Sequence, residues 1–260
     1  MLSVYFFTFW IKFFSVTTHE INQQYEAIIF DLDGVITHTA RLHFLAWKQL
    51  FDDFLNDYDA SQSPFTSQDY ENYVDGKPRY EGVESFLKSR KIDLAKGDEE
   101  DKPGHQSIYG LGKKKNELFH QQMDEQGVET YEDTLACIRQ WKAADMKMAV
   151  VSSSKNCRLV LKKASLIEEF DTIFDGKDAM EQQVKGKPAP DIFLKAAEQM
   201  QVNPNKIVVF EDAIAGVKAG KSGNFGMVIG VNRDEQEEEM RKAGADLVIS
   251  GLDQLNPSDI

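Results

Sequence analysis

The chain has 260 residues, of which 42% are hydrophobic and 28% are charged, as in an ordinary soluble globular protein of one large or two modest domains. Its formal net charge of −13 argues against a nucleic-acid partner, because nothing balances phosphate repulsion over an extended surface. The two cysteines, Cys137 and Cys157, form neither a metal-ligand spacing nor a disulfide framework, so we expect a cytoplasmic protein.

Residues 1–20 are apolar and aromatic, with a single positive charge at Lys12. The run is too short and interrupted for a membrane span, and it lacks the charged start and cleavage site of a secretory signal. We expect residues 1–24 to be an N-terminal extension to the fold, of which residues 1–20 are disposable or packed on the surface, and we expect no stable membrane association. A targeting or anchoring role is the alternative.

The first strand is predicted at residues 26–30, where an apolar run ends abruptly in Asp31-Leu32-Asp33-Gly34. The two aspartates can converge on one small ligand, while Gly34 lets the backbone turn tightly away. Their mutual repulsion suggests a bound cation. The alternative is that Asp31 and Asp33 are solvated loop residues.

Residues 39–126 are predicted to form an inserted all-α domain. Helices are expected at residues 40–55, 67–74, 82–90 and 114–126, with a loop at 93–112 that is rich in glycine and acidic residues. Thr39, His43 and Trp47 share one helix face, and His43 is either a packed histidine or, given the nearby aspartates, a functional one.

From residue 127 the chain alternates helices with strands, which predicts a parallel sheet with helices on both faces. We therefore predict a doubly wound α/β core of residues 25–38 and 127–260. The expected strands after the first are 147–151, 172–174, 206–210, 227–231 and 247–249. The expected helices are 132–144, 156–164, 191–200, 213–221 and 235–243.

Polar residues stand at the tips of two later strands. Ser152 begins a serine-rich turn into a helix, which is either simple helix capping or a phosphate cradle. Glu211 and Asp212 follow another strand. Lys187 lies in a basic loop between the serine-rich turn and that strand. Four carboxylates can hold Mg²⁺, and a carboxylate nucleophile with lysine and a cation suits phosphoryl transfer through an aspartyl phosphate.

The chain resembles the haloacid dehalogenase superfamily and, within it, the β-phosphoglucomutase-like family. The motifs that carry the resemblance are Phe30-Asp31-Leu32-Asp33-Gly34-Val35, Ser152, Lys187-Pro188-Ala189-Pro190-Asp191 and Glu211-Asp212-Ala213-Ile214-Ala215-Gly216. The resemblance implies that Asp31 is the nucleophile and Asp33 the general acid/base. It implies that Mg²⁺ is held by Asp31, the Asp33 carbonyl and Asp212 with Glu211 in or beside the shell, and that Ser152 and Lys187 bind the transferring phosphoryl group.

The same resemblance implies a set of substrate-binding residues at the junction of cap and core, namely Thr39, His43, Arg79, Lys115, Ser153, Ser154 and Asn156. Two features depart from the family pattern. His38 stands where an acidic residue is usual, and the loop at 93–112 is longer than the cap needs.

Three functions stay open at this point. A mutase acting on β-D-glucose 1-phosphate would use a second phosphate site formed by Arg79 and Lys115. A sugar-phosphate phosphatase would use the same core and let water complete the cycle. A silent binding protein would be signalled by a lost carboxylate. We expect a monomer whose partner is a phosphorylated sugar.

Overall fold

The computed structural model of the chain describes residues 17–74, 77–233 and 236–255. Its six strands form one parallel sheet in the order β3-β2-β1-β4-β5-β6. The strands are β1 (Ala27–Phe30), β2 (Lys147–Val151), β3 (Thr172–Phe174), β4 (Ile207–Glu211), β5 (Met227–Val231) and β6 (Leu247–Ile249). The predicted doubly wound α/β fold is confirmed.

The helices flank the sheet and form the inserted segment. In chain order they are α1 (Thr18–Gln24), α2 (Ala40–Tyr58), α3 (Ser67–Asp69), which continues into a π-helical turn (Tyr70–Val74), α4 (Arg79–Ser89), α5 (Ile108–Gln126), α6 (Glu132–Ala143), α7 (Cys157–Lys163), α8 (Gly176–Glu181), α9 (Asp191–Met200), α10 (Ile214–Ser222) and α11 (Glu237–Ala243). In the described part of the chain, no helix has the length and apolar character needed to cross a membrane.

The central strand β1 is buried along its whole length, as expected for a strand covered on both faces. Because side chains alternate across a strand, Ile28 and Phe30 join one apolar cluster while Ala27 and Ile29 join the other. Phe30 lies opposite Val150 of β2 and Phe210 of β4. The carboxyl ends of these three strands therefore lie side by side.

Helices α2, α4 and α5 pack together as the predicted cap. The cap is joined to the sheet by two linkers that lie against each other. Thr37 of the first linker forms an antiparallel bridge with Thr130 of the second, and the N–H of His38 donates to the carbonyl of Glu129 at 2.9 Å. The exact domain boundaries, residues 39–126 for the cap, stay a prediction.

The predicted loop of residues 93–112 is wrong at its end, since α5 begins at Ile108. Ser107 caps the helix by accepting a hydrogen bond from the N–H of Gly110. Gly110 and Gly112 are packing glycines, because a Cβ would collide with the carbonyl of His105 at the first and with the Tyr80 ring at the second. Glycines that suggested a turn thus allow close contact inside a helix.

Helix α8 was missed from the sequence. It begins with a capping box in which the Asp175 side chain accepts from the N–H of Asp178, and the Asp178 side chain accepts from the N–H of Asp175. Short helices of this kind carry too few apolar residues to show a period.

The end of the predicted N-terminal extension, residues 18–24, is neither disposable nor only at the surface. These residues form α1, whose Ile21 is fully buried in the larger apolar cluster and whose Thr18 donates to Gln140 at 3.3 Å. Residues 1–16 lie outside the described residues. The folded unit therefore includes the helix that precedes the first strand.

Candidate active site

A buried ion-pair cluster lies at the carboxyl ends of β1 and β4. The ammonium of Lys187 donates to Asp31 Oδ1 and to Glu211 Oε1, so one cation joins the ends of the two strands. Glu211 also accepts at Oε2 from the N–H of Ala213 at 2.9 Å. Asp31, Lys187 and Glu211 were all predicted as site residues, and the structure brings them into direct contact.

The site carries more negative than positive charge. Burial, together with the charge of Asp31, raises the pKa of Asp33 to about 6. Burial raises the pKa of Glu211 to about 7 although Lys187 opposes this, and burial and the charge of Asp31 raise the pKa of Asp212 well above its ordinary value. Burial opposes the charge on Lys187, yet the two contacting carboxylates raise its pKa. One ammonium therefore faces four carboxylates.

The carboxylate of Asp212 is held against the turn that follows Asp33. Gly34 has a φ of +83°, and a Cβ at this position would overlap the Asp212 carboxylate. Among the described residues, no three carboxylate, histidine or cysteine side chains are arranged with metal-ligand geometry. The donor set nevertheless fits a hard divalent cation such as Mg²⁺, because it offers only oxygen atoms and carries an uncompensated negative charge.

Thr39 connects the cap to Asp33. It occupies the N-cap position of α2, yet its hydroxyl makes no capping bond and donates instead to Asp33 Oδ1. Thr39 is fully buried, as is Thr37 two residues before it. The side chain of Asp33 is thus oriented by the first residue of the cap.

In the serine turn after β2, two serine hydroxyls accept hydrogen bonds from backbone N–H groups of the same turn. Ser152 Oγ accepts from the N–H of Ser154 at 3.1 Å, and Ser154 Oγ accepts from the N–H of Asn156 at 3.1 Å. Ser152 is buried, whereas the side chain of Ser153 is exposed. The structure therefore brings Ser152 to the strand ends but leaves the Ser153 side chain at the surface.

A second cluster, which is basic, lies in the cap. Lys115 Nζ lies 2.6 Å from His43 Nδ1 and sits over the rings of Trp47 and Phe119, at 5.2 and 4.8 Å from their centroids. Burial lowers the pKa of Lys115 and of His43, and the positive charge of Arg79 lowers both further. Lys115 also lowers the pKa of His43, whereas the charge of Asp33 opposes the shift of Lys115. Within the described residues, neither Lys115 nor Arg79 forms an ion pair with a carboxylate. The cluster is suited to an anion.

A polar network joins this basic cluster to the core. Arg79 Nη2 lies 2.7 Å from Asn116 Oδ1, and Asn156 Nδ2 lies 2.9 Å from the same oxygen. His120 Nε2 lies 3.1 Å from Asn156 Oδ1. His120 was not predicted as a site residue, although its position one helical turn after Asn116 places both on one face of α5.

Comparisons with known proteins identify relatives that match most of the chain. The model of the haloacid dehalogenase-like hydrolases matches residues 25–224. The chain is 41% identical over 243 residues to a β-phosphoglucomutase of Mycobacterium tuberculosis, covering 90% of this chain and 93% of that one. It is 35% identical to a β-phosphoglucomutase of Bacillus subtilis, with 86% and 88% covered.

Among solved structures, a β-phosphoglucomutase of Clostridium difficile superposes with a TM-score of 0.70 at 29% identity. The superposition covers 89% of this chain and 93% of that one. The likeness spans both the sheet and the inserted helices.

Proposed function

This chain belongs to the haloacid dehalogenase-like hydrolase family, and we propose that it is a β-phosphoglucomutase, which interconverts β-D-glucose 1-phosphate and glucose 6-phosphate. The family and the names of the relatives make it an enzyme of phosphoryl transfer or phosphate hydrolysis. The choice of a mutase acting on glucose phosphates is the finer part of the proposal.

In the proposed reaction, a carboxylate oxygen of Asp31 attacks one phosphorus of a sugar bisphosphate while the other phosphate stays bound in the cap, and the bond from the attacked phosphorus to the sugar oxygen breaks. The departing sugar oxygen takes its proton from Asp33, whose pKa near 6 lets it hold and release a proton close to neutrality. The monophosphate product leaves and a substrate monophosphate enters. Asp33 removes a proton from the free hydroxyl of that substrate as the oxygen attacks the aspartyl phosphate, which frees Asp31 and forms the bisphosphate again.

The remaining residues of the core bind and balance charge. Lys187 and Ser152 would contact the oxygens of the transferring phosphoryl group. Mg²⁺ held by Asp31, the Asp33 carbonyl and Asp212, with Glu211 beside them, would supply the positive charge that offsets the developing negative charge of the phosphoryl group. Thr39 would keep the Asp33 carboxyl pointed at the sugar oxygen.

The observation that carries the proposal is the basic cluster of Arg79, Lys115 and His43 in the cap. A phosphatase needs one phosphate site, whereas a mutase also has to hold the phosphate that does not react. Lys115 is buried and Arg79 is half-buried, and both lack carboxylate partners in the described part of the chain, which supports a second phosphate site. The closed cap would also exclude water from the aspartyl phosphate.

The test compares two readouts on the purified protein with a hexose bisphosphate primer and Mg²⁺. One couples glucose 6-phosphate formation to a dehydrogenase, and the other measures release of inorganic phosphate. We expect mutase turnover to exceed hydrolysis for β-D-glucose 1-phosphate. Arg79→Ala should reduce mutase turnover by roughly two orders of magnitude or more and raise the share of hydrolysis, because the second phosphate loses a charge-assisted contact.

Matched controls separate the cap site from general damage to the fold. Arg90→Ala removes another cap arginine, one that pairs with Asp69 away from the basic cluster, and should leave the ratio of the two activities unchanged. If hydrolysis dominates for every hexose and pentose phosphate tested, and Arg79→Ala does not alter the ratio, the protein is a sugar-phosphate phosphatase instead. The monomeric state and the cytoplasmic location stay predictions.

A further inference from the structure

The hydrogen-bond donors of the polar network between cap and core can be assigned in order, starting from Arg79. The guanidinium of Arg79 can only donate, so the atom of Asn116 that faces it is the acceptor Oδ1. That oxygen also faces the side-chain amide of Asn156, which must therefore present its NH₂ group. Asn156 then turns its own oxygen towards His120, and this 3.1 Å contact is a hydrogen bond when His120 Nε2 carries the proton.

The other contact of His120 agrees with this assignment. Asn116 Nδ2 lies 3.4 Å from His120 Nε2, a longer separation than the 3.1 Å to Asn156 Oδ1. With a proton on Nε2 this contact joins two donors and is not a hydrogen bond. His120 therefore acts on Asn156 rather than on Asn116.

We propose that His120 is a positioning residue that fixes the side-chain amide of Asn156, so that the Asn156 NH₂ group and the Arg79 guanidinium converge on one acceptor. In the absence of substrate that acceptor is Asn116 Oδ1. With substrate it is an oxygen of the phosphate that does not react. This inference rests on the proposed function, and it adds a residue that neither the sequence motifs nor the comparisons with known proteins identified.

Two observations support the role. The acceptor receives one hydrogen bond from Arg79 of the cap and one from Asn156 of the core, so an anion bound in its place would join the two parts. The orientation of the Asn156 amide decides whether the donor from the core is available. In addition, Lys163 of α7 forms an ion pair with Asp124 of α5 one turn beyond His120. Since Asn156 directly precedes α7, this pair is a further contact between the two helices that carry the histidine and follow the asparagine.

The experiment measures binding of glucose 6-phosphate by calorimetry in an Asp31→Asn background, where turnover is blocked. His120→Leu keeps the bulk of the side chain but removes the donor, and we expect the dissociation constant to rise about tenfold. His120→Gln can still donate from its amide and should recover most of the affinity. In steady state, His120→Leu should raise KM more than it lowers kcat, since the lost contact holds both ground state and transition state.

A double-mutant cycle tests whether His120 acts through Asn156. In an Asn156→Ala background, His120→Leu should have no further effect on the dissociation constant. The matched control is Gln121→Leu, which alters the next residue on the exposed face of α5 and should leave the affinity unchanged.

Three results would overturn the inference: an unchanged dissociation constant for His120→Leu, an equal loss for His120→Leu and His120→Gln, or additive losses with Asn156→Ala. Failure of the proposed function is seen separately, in the unmodified protein, as absence of mutase turnover. A protein that binds glucose 6-phosphate through His120 but only hydrolyses sugar phosphates would keep this inference and lose the mutase proposal.

Discussion

Replacing Lys187 by methionine is expected to destabilise the protein, because its ammonium is the cation between two buried carboxylates. Its side chain and that of Asp31 are each 10% exposed, and that of Glu211 is fully buried. Removing one partner of a buried ion pair costs about 3–5 kcal/mol, since the remaining charge is left uncompensated. For a chain of this size the loss corresponds to a decrease in Tm of about 6–20 °C.

The loss should depend on pH in a direction set by Glu211. Its folded-state pKa is raised from 4.5 to about 7, so between these values the native state binds more protons than the unfolded state. Stability from this group is present below pH 4.5 and is lost as the pH rises through 7. Without Lys187 the pKa of Glu211 rises further. At low pH the Glu211 carboxyl then stays protonated, so no unpaired negative charge is buried. The cost of Lys187→Met should therefore be larger at about pH 8.5 than at about pH 5.5.

The assay is thermal and urea unfolding at both pH values in the presence of a chelator, so that no added cation replaces the lost charge. The double variant Lys187→Met with Glu211→Gln provides the control, because the amide removes the unpaired charge and should restore much of the stability. Equal stability of Lys187→Met and the unmodified protein at the higher pH would refute the reasoning. So would a double variant as unstable as the single one.

Three further predictions concern the carboxylates, the cation and the N-terminal helix. Asp31→Asn should abolish phosphoryl transfer in a folded protein, and Asp33→Asn should reduce it by about 10²–10⁴-fold; a loss below about threefold in steady-state assays would remove Asp33 from proton transfer. Turnover should require Mg²⁺ and be inhibited by Ca²⁺, which prefers more ligands and longer bonds, and full activity in excess chelator would contradict this. Ile21→Ala should lower the free energy of unfolding in urea by about 2–4 kcal/mol, whereas His19→Ala, at an exposed position, should leave it unchanged. Equal stabilities of the two variants would show that α1 contributes nothing to the core.

The sheet and the core motifs could be predicted because each signal is local. Strands β2, β3, β5 and β6 were predicted with the bounds observed, since each is an apolar run that ends at polar residues. The carboxyl ends of parallel strands meet at one edge, so polar residues at those ends could be assigned to one site before any contact was known. Asp31, Lys187 and Glu211 do meet there.

What could not be predicted depends on contacts between distant residues. Gly110 and Gly112 predict a turn when only the local sequence is considered, and their packing against His105 and Tyr80 is a tertiary property. Ile21 is the one apolar residue of the polar helix α1, and its burial depends on docking of α1 onto the core. His120 belongs to the site only because α5 brings it to Asn156, which is 36 residues away in the sequence.

The bridge between Thr37 and Thr130 has a consequence for how such a chain can be assembled from modules. Residues paired across antiparallel strands lie about 5 Å apart, so the entry and exit points of the cap are adjacent and a short turn could join them directly. The cap can thus be viewed as a replaceable cassette, and we expect grafts of other helical segments at this point to leave the register of β1 and β2 intact. A capless protein that keeps the sheet, judged by circular dichroism, and hydrolyses acetyl phosphate without discriminating among sugars would show that substrate choice resides in the cassette and the chemistry in the sheet.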